Sequence, residues 1–164
     1  MKRILVVFAM LVISGLAMPV MALTEKQEAA IVDRCAEIRE DLKTVQKDDA
    51  RARVHLGGRY ETILSKFIVP LNVRLVENNL SNADLVENQN QFAEAKATFA
   101  NDYVGYQQDL EELVAMDCKN EPSEFYEKLV KVRQKRKTVE QDTLKLRNLI
   151  SKQVKLVTSV RSKV

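Results

Sequence analysis

The sequence predicts an all-α protein: an elongated antiparallel three-helix bundle that is coiled-coil-like, with one long first helix. Apolar residues recur at alternating spacings of four and three along three long stretches, which is the pattern of helices that pack along a shared seam. No stretch alternates with a period of two, so we expect no β-sheet. The predicted helices cover residues 24–78, 82–117 and 123–161.

The first predicted helix begins with a capping box, because Thr24 is followed three residues later by Gln27. Its apolar seam is interrupted by the polar residue Asp49. The adjacent Gly57 and Gly58 leave open whether this helix runs on or breaks and folds back, since glycine weakens a helix interior. The apolar seam positions are Ile31, Cys35, Ile38, Leu42, Val45, Ala52, Leu56, Tyr60, Leu64, Phe67, Leu71 and Leu75.

Two turns separate the three predicted helices. The first is residues 78–82, in which Ser81 caps the second helix. The second is residues 118–122, after which Pro122 or Ser123 opens the third helix. Each turn reverses the chain, so neighbouring helices are antiparallel.

Folding the first helix back along the second makes apolar residues meet apolar residues. The alignment places Tyr60 opposite Phe99 and Phe67 opposite Phe92. We therefore expect both aromatic pairs in the interior.

Two cysteines, Cys35 and Cys118, are present in the chain. Exactly two cysteines in an exported protein favour one disulfide, with free thiols or intermolecular links as the alternatives. If the first helix folded back at Gly57, Cys35 would lie roughly 55 Å from Cys118. The disulfide can therefore form only if the first helix continues past Gly57 without folding back.

Residues 1–22 have the features of a cleaved signal peptide. Lys2 and Arg3 precede an apolar run from Ile4 to Leu16, and the small-residue cleavage site is Val20–Ala22. An uncleaved anchor is the alternative, but the run is shorter than the roughly 20 residues that cross a bilayer. We expect one domain over residues 23–164 that is exported (periplasmic, extracytoplasmic or secreted) and soluble after cleavage.

The charge is unevenly distributed along the chain. The net charge of +3 includes Lys2 and Arg3, so residues 23–164 carry 24 bases and 23 acids, or +1. This near-neutrality argues against nucleic-acid binding. Residues 82–117 carry eight acids and Lys96, and residues 123–164 carry twelve bases and four acids. The two segments either neutralise each other within the fold or leave the third helix for an anionic lipid or polymer.

Residues with recognisable catalytic or metal-binding spacing are lacking. The single histidine, His55, has no carboxylate three or four residues away, and we interpret it as a surface or boundary residue. Residues 23–164 contain three glycines and no phosphate-binding loop. The adjacent pairs Asp48–Asp49 and Glu111–Glu112 are interpreted as solvated charge. We predict no enzyme activity, cofactor, metal or small-molecule substrate.

Arg136 and Thr143 are polar residues on the seam of the third helix. Arg136 falls one turn from Asp102, so two interpretations remain open: an Arg136–Asp102 pair that fixes register, or an arginine that reaches solvent. The surrounding basic run is a solvated face or an anion-binding site. Its candidate anion-binding residues are Lys131, Arg133, Lys135, Arg136 and Lys137.

Residues 63–76 are apolar almost all the way round a helix, which is typical of a central helix, an oligomer contact or a partner surface. The candidate partner surface contains Ile63, Phe67, Ile68, Val69, Val73 and Val76. The leading hypothesis is a non-catalytic cell-envelope protein that acts by protein–protein binding or self-association, as a scaffold, adaptor or chaperone-like protein. The alternative is a peripheral protein that docks on anionic lipid or cell-wall polymer through its basic C-terminal helix.

The segment Leu23–Gln27 resembles the Leu-Thr-x-x-Gln motif of periplasmic helical chaperones and stress adaptors related to CpxP and Spy. The small size, export signal and helical hairpins are similar too. The seam disulfide and the long third helix depart from that family, so no family membership and no functional residue is carried over.

Overall fold

The computed structural model describes residues 23–80 and 83–161, and the predicted signal peptide lies outside them. The all-α class is confirmed, since no strand occurs in the described residues. The helices are α1 (Glu25–Asp33), α2 (Cys35–Thr62), α3 (Val69–Glu77), α4 (Ala83–Ala115) and α5 (Pro122–Arg161), with a π-helical turn at Ile63–Ile68 between α2 and α3.

The first arm, α1 to α3, continues through the two glycines. Gly57 and Gly58 lie inside α2, and neither has a positive φ. A break occurs instead at Arg34, whose φ of −103° and ψ of 13° separate α1 from α2. The chain therefore does not fold back at Gly57.

The predicted capping box is present at the start of α1, whereas the predicted cap Ser81 lies outside the described residues. The Thr24 N–H donates to Gln27 Oε1 at 2.9 Å and the Gln27 N–H donates to Thr24 Oγ1 at 3.4 Å, which completes the capping box. After α3, Asn79 adopts a left-handed φ of 57°, and the Leu80 N–H donates to the Leu75 carbonyl at 2.8 Å. Pro122 opens α5, where its missing N–H costs nothing.

An aromatic spine runs through the interior. α4 packs along α5, and α2 packs on the same α4. The Tyr60 ring lies edge-on to Phe99 at 5.6 Å and to Phe92 at 6.3 Å between centroids. Tyr103 and Tyr106 extend the spine along α4. The predicted Tyr60–Phe99 pair is confirmed.

Cys35 and Cys118 form the predicted disulfide, with their Cα atoms 5.7 Å apart. Cys35 is the first residue of α2, directly after the break at Arg34, and Cys118 lies in the turn between α4 and α5. Both sulfur atoms are buried in the core cluster. The bond ties the N-terminal arm to the end of the α4–α5 hairpin.

The prediction that Phe67 faces Phe92 is wrong, because the Phe67 side chain is 64% exposed. The Val69 N–H donates to the Leu64 carbonyl, five residues earlier, so the turn holds one more residue than an α-helical turn. That extra residue moves the interior positions from Phe67 and Leu71 to Ile68 and Asn72, which are buried. Pro70 has no N–H and its ring crowds the preceding turn, which favours the wider π geometry.

Within residues 23–80 and 83–161, the helices lack the combination of length and hydropathy needed to cross a bilayer.

Candidate functional site

Asp49, Tyr106 and Arg136 come together in the middle of the fold, on α2, α4 and α5. Arg136 Nε and Nη2 donate to Asp49 Oδ2 and Oδ1, each at 2.9 Å. The Tyr106 hydroxyl donates to Asp49 Oδ2 at 2.6 Å. Three helices are therefore joined at one carboxylate, whose side chain is 17% exposed. The interpretation of Asp49 as solvated charge is wrong.

The same network changes the acidity of its members. Burial, followed by the hydrogen bond to Asp49, raises the pKa of Tyr106, so its hydroxyl stays a donor. The hydrogen bond to Asp49 raises the pKa of Arg136. The pair is a fixed structural contact rather than an acid–base couple, since the hydroxyl and the guanidinium both keep their protons at neutral pH.

Arg136 bonds to Asp49 and not to Asp102, so the first of the two open interpretations, an Arg136–Asp102 pair, is wrong. The antiparallel register brings the polar break in the α2 seam to Arg136, while Asp102 lies against Asp142. Burial and the neighbouring Asp102 carboxylate raise the pKa of Asp142.

Three lysines of α5 surround the buried Asp109 on α4. Lys128 Nζ lies 2.9 Å from Asp109 Oδ1, and Lys135 Nζ lies 2.6 Å from Oδ2. Lys131 is more distant, at 3.7 Å. The hydrogen bond from Lys135, with that from Lys128, lowers the pKa of Asp109 to about 2 against the effect of burial. The acidic segment thus meets the basic one inside the fold at Asp109, and Lys128 also pairs with Glu112.

The five predicted anion-binding residues therefore divide into two groups. Lys131, Lys135 and Arg136 contact carboxylates of the same chain. Arg133 and Lys137 are exposed and line a cavity of about 620 Å³ between α2 and α5, with α4 as its floor.

Tyr103 lies in the floor of that cavity. It is 3% exposed, and its hydroxyl forms no hydrogen bond with the described residues, although the Gln107 side chain lies close enough to lower its pKa. Burial raises the pKa of Tyr103 to about 12. The Arg53 guanidinium stacks over its ring at 5.3 Å from the centroid.

The candidate partner surface is only partly exposed. Phe67, Val73 and Val76 are 64%, 50% and 55% exposed, whereas Ile63 and Val69 are half-buried. Ile68 is 2% exposed and belongs to the core, because the π-helical turn rotates it inward. We call Phe67, Val69, Val73 and Val76, the apolar residues around the end of the first arm, the α3 face.

Sequence reasoning missed the roles of Tyr106 and Asp109. Tyr106 fits an apolar seam, so nothing in its spacing distinguishes a residue that also donates a hydrogen bond. The usable signal was the pair of opposite charges at seam positions, Asp49 and Arg136. His55 is exposed, as expected. In the part of the chain that the structure describes, no cluster of histidine, cysteine and carboxylate side chains is suited to a metal ion.

Comparisons with protein-family models, with curated proteins and with solved structures find no match to this chain.

Proposed function

We propose that this chain is an exported, non-catalytic protein of the cell envelope that acts by binding other polypeptides through the α3 face, with the three helical arms forming an elongated antiparallel bundle. The observation that carries the proposal is the 64% exposure of Phe67. An aromatic side chain that is exposed on a helical arm is typical of a contact residue, because a partner that covers it removes a large apolar surface from water.

The other apolar residues form a separate strip, because Phe67 precedes Val69 by two residues and projects from nearly the opposite side of the helix. Val69, Val73 and Val76 lie at spacings of four and three, so they share one side of α3. Phe67 is also the only aromatic among the large hydrophobic side chains exposed in the described residues. The face ends at the α3–α4 turn, at the opposite end of the arm from the disulfide.

Export is supported by the disulfide and by the sequence of residues 1–22. A Cys35–Cys118 bond persists in an oxidising compartment, and the basic, apolar and small-residue order of the first segment is typical of a secretory signal.

The alternative, docking on anionic lipid or wall polymer through α5, has less support. Lys131, Lys135 and Arg136 already contact carboxylates of the chain, so they contribute little to the attraction of a flat anionic surface.

The test compares Phe67→Glu with Val54→Glu, which introduces the same charge at a 76% exposed residue of α2. Light scattering measures whether the purified protein suppresses aggregation of heated malate dehydrogenase, and multi-angle scattering after gel filtration measures self-association. We expect Phe67→Glu to abolish whichever activity the wild type has and Val54→Glu to retain it. Equal behaviour of the two variants, or neither activity in the wild type, contradicts the proposal.

A further inference from the structure

A long groove separates α2 from α5. Each of these helices packs along α4, but they stay apart from each other over most of their length. The cavity of about 620 Å³ is continued by one of about 480 Å³, and the two share Leu56 and Thr143 in their walls. From Asp49 to Ile63 the groove follows α2 for about 21 Å.

The groove has an apolar floor and cationic walls. Its floor on α4 is lined by Phe99, Tyr103 and Tyr106, and the apolar residues beside that floor are Leu56, Tyr60, Ile63, Val139 and Ile150. Six cations and two acids line it: Arg53 and Arg59 from α2, Arg133, Arg136, Lys137 and Arg147 from α5, with Asp49 and Glu140. Only Arg136 among these cations forms an ion pair with a carboxylate of the described residues. The groove therefore has an excess of positive charge that the fold itself does not neutralise.

The lining of α5 has the spacing of a helix-packing seam. Steps of four and three residues separate the lining residues Arg133, Lys137, Glu140, Leu144, Arg147 and Ser151. A stripe with this spacing is the surface against which a neighbouring helix packs. In a four-helix bundle each helix contacts two neighbours, and the diagonal pair stays apart. α2 and α5 have this diagonal relation across α4, which leaves the fourth corner open.

We propose that this groove binds an acidic amphipathic helix of a partner protein, about four turns long. Its apolar stripe would lie on Leu56, Ile63 and Ile150, and carboxylates on its two edges would face the unpaired cations of both walls. The inference rests on the proposed protein-binding role but assigns it a second surface, separate from the α3 face.

The distribution of charge selects a helix over a single-chain lipid. A lipid has one anionic head, whereas the cations extend from Arg53 and Arg133 to Arg59 and Arg147 along both walls. A second copy of this chain is also disfavoured, because a second basic α5 would be repelled.

The binding test uses a labelled, end-capped peptide of about 18 residues with leucine at heptad positions a and d and glutamate at e and g. Fluorescence anisotropy measures its Kd for the purified disulfide-bonded protein, and circular dichroism measures whether the peptide gains helix. We expect binding that weakens with salt and is at least about tenfold tighter than that of a glutamine-substituted peptide.

Matched variants locate the site. Arg133→Gln, Lys137→Gln and Arg147→Gln together should weaken binding at least about tenfold, because each removes an unpaired groove cation. The control, Lys47→Gln, Lys119→Gln and Lys155→Gln, removes the same charge from exposed residues outside the groove and should cost less than about twofold. Ala52→Trp, which fills the groove without changing charge, should abolish binding.

Three results would overturn the inference: equal effects of the two triple variants, binding that survives Ala52→Trp, or palmitate binding that needs the groove cations while the acidic peptide does not bind. A dimer that is lost on Ala52→Trp would assign the groove to a second copy and overturn it as well. Phe67→Glu should leave peptide affinity within about twofold. If the peptide does not bind while association that depends on Phe67 is retained, the groove assignment is rejected and the proposed function is not.

Discussion

Asp49 and Arg136, 87 residues apart in the chain, form a bidentate ion pair that Tyr106 extends to a third helix. Because the Asp49 side chain is mostly buried and the Arg136 side chain is 56% exposed, the pair is intermediate between a surface and a buried salt bridge. If Asp49 were removed, the buried Tyr106 hydroxyl would lose its hydrogen-bond acceptor. We expect this loss to be the main contribution of Asp49 to stability.

Asp49→Ala is expected to lower the free energy of unfolding by about 1–3 kcal/mol, since it leaves the Tyr106 hydroxyl and the Arg136 guanidinium without their shared acceptor. Urea unfolding measures the change. Asp48→Ala is the matched control, because Asp48 is exposed and 3.7 Å from Arg51, and it should change stability by less than about 0.5 kcal/mol. Similar losses in the two variants would mean that the network contributes nothing specific.

Replacing both cysteines by serine is expected to lower the free energy of unfolding by about 4.5 kcal/mol in the chain-entropy model, because the bond closes a loop of 83 residues. Unfolding in urea with and without reductant measures this loss. The wild type should lose stability in reductant, and Cys35→Ser/Cys118→Ser should be indifferent to it. A wild type that is equally stable in both conditions would contradict the prediction.

Asp109 is expected to make stability depend on pH below neutrality. Its folded pKa of about 2 lies below the ordinary value of 3.8, so the carboxylate contributes stability above about pH 4 that is lost as the pH falls through about 2. The contribution at neutral pH is on the order of 2 kcal/mol. Asp109→Asn should therefore be less stable than the wild type at about pH 6 and nearly equal to it at about pH 2.

Urea unfolding across this pH range tests the assignment, with Glu111→Gln as the control. Glu111 is an exposed acid on the same helix, and its substitution should leave the pH profile close to that of the wild type. A constant difference between wild type and Asp109→Asn at all pH values would show that the loss is not electrostatic.

The helices themselves were predictable because buried apolar residues recur at spacings of four and three wherever two helices pack. Local residues also indicated two helix boundaries: Asn78 and Asn79 follow the C-terminus of α3, and Pro122 begins α5. The orientation of Phe67 was not predictable from the same spacing, since a π-helical turn adds a residue without disturbing the apolar pattern on either side. Ile68 and Phe67 are adjacent and both apolar, so either satisfies the seam.

The partners of the seam charges were less accessible than the helices. Arg136 lies between several acids in the antiparallel alignment, and a spacing argument cannot rank Asp49 against Asp102. In the structure Arg136 pairs with Asp49, which also accepts a hydrogen bond from Tyr106. The groove was unpredictable for a related reason, since it depends on how far α2 stands from α5, and apolar periodicity carries no such distance.

The π-helical turn is expected to tolerate the loss of one residue. Deleting Lys66 together with Pro70→Ala removes the extra residue and supplies the missing N–H, so an α-helix can continue with Ile68 and Asn72 still facing the core. We expect the free energy of unfolding to change by less than about 1.5 kcal/mol. Deleting Thr98, an exposed residue of α4, should instead be severely destabilising, because it rotates buried Phe99 and Tyr103 by about 100°. Urea unfolding of the two deletions decides between these outcomes, and comparable losses would mean that the wide turn is not a single inserted residue.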